Sequence, residues 1–105
     1  MSCLSRFTFH AVPGKTGQLE KELIRLAQMV ASVGGIKSRV LHTHFASSGA
    51  PDVVFEQEAS DLADLEAEIT KLTENPEFQL WTKKMSSLLT QSPKREIYII
   101  LDDHK

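Results

Sequence analysis

A chain of 105 residues, 41% hydrophobic and 25% charged, suits a single folded domain over residues 1–105 with a modest core, and it is too apolar for a disordered segment. A formal net charge of -2 offers no basic excess for nucleic acid, the single cysteine, Cys3, excludes an internal disulfide, and no apolar run approaches the roughly 18 residues of a membrane span. The first ten residues hold Arg6 and no apolar segment of a secretory signal, so the expectation is a cytoplasmic protein with neither nucleic acid nor membrane as partner.

Residues 4–10 alternate, with Phe7 and Phe9 on one side and Arg6, Thr8 and His10 on the other, which predicts a half-polar strand. Val12-Pro13-Gly14 ends it. From Thr16 the period changes to three and four: Leu19, Leu23, Leu26, Val30 and Val33 build one apolar helix face, and Gly34-Gly35 stops the helix. Residues 36–45 return to extended character, with faces so evenly mixed that the inward one is not legible and a bulge between them is conceivable. A turn cluster at residues 47–52 leads to a strand from Val53 to Glu58, giving a hairpin.

Ser60 is the expected cap of a second helix, whose buried stripe is Leu62, Leu65, Ile69 and Leu72. Asn75-Pro76-Glu77 is the clearest punctuation in the chain: a cap, a proline at the first helical position and an acid in the first turn. The third helix carries Phe78, Trp81, Met85 and Leu88 or Leu89 on one side. The final strand, Glu96 to Leu101, is apolar on both faces, Ile97, Ile99 and Leu101 opposing Glu96, Tyr98 and Ile100.

The order strand, helix, strand, strand, helix pair, strand predicts an α+β, ferredoxin-like βαββαβ domain. Its four-stranded antiparallel sheet has helices on one side, with the first and third strands central. The uncovered face would carry Tyr98 and Ile100 beside Arg6, His10, Glu56 and Glu58, too apolar for a free surface. A second copy of the chain would cover it, so a homodimer is expected.

The element order resembles the dimeric α/β-barrel superfamily, whose members include antibiotic-biosynthesis-monooxygenase-like and NIPSNAP-like proteins. Local pattern adds to the likeness: Arg39-Val40-Leu41, then Asp52-Val53-Val54-Phe55-Glu56 leading into Asp61-Leu62-Ala63, then Asn75-Pro76-Glu77 followed by Trp81. The resemblance covers nearly the whole chain. It implies homodimers whose two sheets build one barrel, and activities that range from cofactor-independent oxygenation to haem degradation, isomerisation and dye decolorisation, so fold alone leaves the chemistry open.

Four histidines, His10, His42, His44 and His104, are candidates for chemistry. On one strand face His42 and His44 would stand roughly 7 Å apart. With His10 or Glu56 nearby they read as structural or solvent-facing groups, as proton-transfer groups, or as metal or haem ligands. His104 is set aside because it adjoins the end of the sequence. Glu56 and Glu58 share a face and read as a general base or as partners of Arg6 and Arg39. Phe78 and Trp81, with Tyr98, are candidate walls of a substrate pocket, the first two reading equally as plain core.

Two functions follow. One is a cofactor-independent monooxygenase-like enzyme acting on a small aromatic or polyketide-like compound, with His10, His42, His44 and Glu56 as catalytic candidates and no metal or other cofactor. The other is a non-enzymatic module that binds a small ligand or a partner.

Overall fold

The computed structural model describes residues 2–102, so His104 lies outside the described residues. The elements run β1 (Cys3–Phe9), α1 (Thr16–Ser32), β2 (Ser38–His42), β3 (Val53–Ala59), α2 (Leu62–Thr73), α3 (Pro76–Met85), a 3-10 turn at Ser86–Leu88, and β4 (Lys94–Ile99). The strands form one sheet in the order β2-β3-β1-β4, each neighbouring pair antiparallel. This is the ferredoxin-like arrangement, with β1 and β3 central. Cα extents of 39 × 35 × 19 Å fit two layers, one sheet and one set of helices, which leaves a sheet face bare.

The core lies between the layers. Phe9, Val53 and Phe55 of the sheet meet Leu19, Leu23, Leu26 and Val30 of α1 and Trp81 and Met85 of α3. A smaller cluster joins Cys3 and Ala59 to Leu65 of α2. Val40 packs against the larger cluster and pairs with Phe55, which settles the inward side of β2: Ser38, Val40 and His42 face the helices, Arg39 and Leu41 the bare side.

Local punctuation follows residue chemistry. At the end of α1 the Gly34 amide donates to the Ala31 carbonyl (3.1 Å) and the Gly35 amide to that of Val30 (2.9 Å), the paired closure of a Schellman motif. Gly34 has φ +71°, a conformation that glycine adopts without steric cost. Asn75 caps α3, its Oδ1 accepting from the amides of Glu77 (2.8 Å) and Phe78 (3.2 Å), with Pro76 opening the helix.

Several details differ from the sequence reading: β4 runs Lys94–Ile99 rather than Glu96 to Leu101, and β2 begins at Ser38 rather than residue 36. Helix α2 begins at Leu62, so its cap is Asp61, which accepts from the Asp64 amide at 2.9 Å; Ser60 stands one residue too early and donates to the Asp64 side chain instead. Strand β2 stops at His42, short of residue 45. Thr43 closes the hairpin through its amide to Asp52 and its hydroxyl to Pro51, and the chain then turns. Val33 caps α1 and is exposed rather than extending its buried stripe.

Strand β4 has β1 as its neighbour on one side and an open edge on the other. Its register puts Arg95, Ile97 and Ile99 on the helix side with Phe7, Ser5 and Cys3, and Lys94, Glu96 and Tyr98 on the bare side with Thr8, Arg6 and Leu4. Ile97 (42%), Tyr98 (44%) and Ile99 (46%) all keep large exposed areas, so both faces of this apolar strand lack cover within the protomer. No helix among the described residues is long and apolar enough to cross a membrane.

Candidate functional site

A groove of about 600 Å³ opens between the helices and the β1–β4 side of the sheet. Helix α3 supplies one wall through Phe78, Trp81 and Met85, and α2 contributes Ile69 and Thr73. Phe7 and Phe9 stand on the sheet side, their ring centroids 4.7 Å apart. The segment from Leu89 to Pro93 closes one end; the Thr90 amide donates to the His10 carbonyl just past β1 (3.0 Å), and the Val12 amide to the Leu88 carbonyl of the preceding turn (2.8 Å). Arg95 completes the lining from β4.

The α3 wall is fixed from behind by one residue of α1. Trp81 Nε1 donates to the Glu22 carbonyl at 3.2 Å, and Lys84 Nζ, one turn further along, donates to Glu22 Oε2 at 2.9 Å. Glu22 is a buried carboxylate; among the described residues its Oε1 has no hydrogen-bond partner, the Arg25 guanidinium standing 4.0 Å away. Trp81 also stacks on Phe78, with centroids 5.8 Å apart and planes at 22°. The indole is therefore both core and groove wall, as the spacing of these residues allows.

Arg95 was not anticipated from sequence. Its Cζ lies 4.6 Å from the Phe7 ring centroid and its Nη1 donates to Ser5 Oγ at 3.2 Å. Burial pulls the guanidinium below its ordinary pKa range, and the Glu68 carboxylate opposes part of that shift.

None of the polar candidates from the sequence lines the groove itself. His10 follows β1: its Nε2 donates to the Gly49 carbonyl (3.2 Å), which leaves Nδ1 to accept from the Gln91 side chain (2.6 Å). Gln91 lines the groove, so His10 adjoins it through one intervening side chain. His42 faces the helix side and pairs with Glu20 of α1. His44 lies beyond β2, by a trough away from the groove that His42, Arg6 and Phe45 also line. Glu56 is buried on the other side of the sheet, paired with Arg39 and, at 4.0 Å, with Arg6. Tyr98 shares that bare side, opposite Leu4, and does not join Phe78 and Trp81 in the groove. Among the described residues no three His, Cys, Asp or Glu side chains are grouped so as to hold a metal ion.

The fold is shared with solved structures at low identity. A NIPSNAP-like domain protein from Burkholderia xenovorans superposes with a TM-score of 0.71 at 16% identity, covering 99% of this chain and 89% of that one. A Deinococcus radiodurans protein that is assigned by name to the antibiotic biosynthesis monooxygenases gives 0.67 at 15% identity, with 98% and 96% covered. A dimeric ferredoxin-like protein of unknown function from Bacteroides fragilis gives 0.65 at 14% identity, with 94% and 96% covered. The likeness to both kinds of protein read from the sequence therefore holds at the level of fold, and identities this low leave the chemistry to the residues. The sequence itself matches no family profile and no curated protein.

Proposed function

We propose that the protein is a homodimer that binds a small, flat aromatic or polyketide-like compound in the groove of each protomer. The groove carries this reading. About 600 Å³ is the size of a small-molecule site, and Phe7, Phe78 and Trp81 line it with aromatic side chains suited to a planar guest. The bare sheet face and uncovered β4 support the dimer, as does the dimeric neighbour.

A second reading, cofactor-independent oxygenation of that guest, draws support from the monooxygenase-named neighbour and from the cation at Arg95. An acidic methylene flanked by aromatic rings can act as its own reductant. Loss of a proton gives a carbanion that Arg95 would stabilise; dioxygen then puts one oxygen atom into the new carbonyl while the other leaves as water, all electrons coming from the substrate. Among the polar candidates, His10 is the one whose hydrogen-bond partner lines the groove, and it is assigned proton transfer here, with Gln91 swinging aside to free Nδ1 for the substrate proton.

Native mass spectrometry of freshly purified protein, with an oxygen electrode and anthrone as probe, tests both readings. Dimer mass with a retained organic ligand is the expected result. Under the second reading anthrone consumes one dioxygen per molecule converted to the quinone, and His10→Ala lowers kcat while leaving ligand affinity unchanged. Binding without oxygen uptake leaves a non-enzymatic binding protein.

A further inference from the structure

The apolar walls of the groove do not account for Arg95. Among the described residues it is the ionisable side chain of the lining. A guanidinium presents five N–H donors, and the partner it finds here is one neutral hydroxyl, Ser5 Oγ. Among the described residues no carboxylate lies within 4.0 Å of it. Glu68, whose charge does reach Arg95, is already engaged: its carboxylate accepts from the Ile36 amide and from the Gln57 side chain.

The arrangement also holds the guanidinium still. Ser5 is 2% exposed and anchors one end of the fork. The Phe7 ring lies under the charge, and a cation over an aromatic face is attracted without being neutralised. An oriented cation at the rim of an apolar groove, with Glu68 acting on it only from a distance and no carboxylate in contact among the described residues, favours an incoming anion.

We propose that Arg95 makes the groove selective for aromatic compounds bearing one acidic group, a carboxylate, phenolate or enolate. The ring would lie against Phe78 and Trp81, and the anionic oxygen would meet the guanidinium. Ser5 is then a positioning residue, acting on the ligand through Arg95. The inference rests on the groove being a ligand site, and it extends that reading from shape to charge.

Two probes of matched shape decide it: 2-naphthoate and its neutral counterpart 2-naphthamide. They are titrated into the 105-residue chain while the indole N–H resonance of Trp81, its one tryptophan, is followed by NMR. Naphthoate should bind about tenfold or more tightly than naphthamide, the gain usual for a charge-assisted hydrogen bond. Arg95→Met should erase that ratio while keeping the naphthamide affinity, Arg95→Lys should keep part of it, and Ser5→Ala should reduce the ratio without moving the naphthamide value. Equal affinities in the wild type, or a ratio that survives Arg95→Met, overturn the inference and leave the groove standing as a neutral site. Loss of the indole shift with both probes removes the groove reading itself. The wild-type comparison needs no variant, so it decides the matter should a substitution prevent folding.

Discussion

Trp81 concentrates three roles in one side chain: it fills the core, forms the groove wall and hydrogen-bonds to α1. Trp81→Ala should cost about 3–5 kcal/mol in a denaturant melt, as expected for deleting a large buried aromatic. A loss within roughly 0.5 kcal/mol, the usual surface range, would place the indole outside the core. The Trp81 spacing on its helix was legible in the sequence. The Glu22 contact was not, because a glutamate on a helix reads as solvated until a second helix arrives to bury it. Arg95 was missed for a related reason. A charge just before an apolar run looks like its solvent boundary, yet Arg95 shares a side with Ile97 and Ile99, and that parity was available once the covered face was known. The sequence placed His42 and His44 on one strand face, which needed β2 to run past His42; the hairpin closure at Thr43 ends the strand there.

At the scale of elements, the sequence disclosed most where backbone chemistry is local. Gly34-Gly35 and Asn75-Pro76 mark the helix boundaries they were expected to mark. The periods of two and 3.6 placed every strand and helix in order, whereas the inward side of β2 depended on a packing partner for Val40. Helix α3 matters most to function because it forms the groove wall. Its cap satisfies two amides with one side-chain oxygen, so Asn75→Ala should lower stability by about 1 kcal/mol. Circular dichroism melts read that loss. Asn75→Asp keeps the acceptor and should stay close to wild type, and an alanine variant as stable as wild type would remove the cap from the account of α3.

The whole molecule leaves a sheet face uncovered. Its bare side mixes Tyr98, Leu4 and Leu41 with the Glu56–Arg39–Arg6 cluster, so a facing copy would meet both apolar area and charges already paired within the protomer. A sheet-on-sheet homodimer of this kind should bury more than roughly 2,000 Å² in total. Its melting temperature should then rise with protein concentration. Tyr98→Asp would bring a carboxylate into that interface without a new partner and should shift sedimentation equilibrium toward monomer. A wild type that remains a folded monomer at high micromolar concentration, or a variant that associates equally well, would leave the bare face without a partner copy.

The open edge of β4 has a consequence for how this chain tolerates change. Its alignment rests on one neighbour, β1, and side chains alternate, so adjacent positions serve opposite compartments: Arg95 the groove, Lys94 and Glu96 the far side. Lengthening or shortening the Gln91–Pro93 connection by one residue could be absorbed as a slip of the strand. An added residue would seat Lys94 at the Arg95 position and keep a cation there; a removed residue would seat Glu96 there and invert the sign of its charge. The same slip would exchange Ile97 with a neighbour of opposite orientation and so disturb the far surface together with the cavity. A deletion in this connection thus changes charge preference and self-association in one step, although no residue of either surface has been replaced.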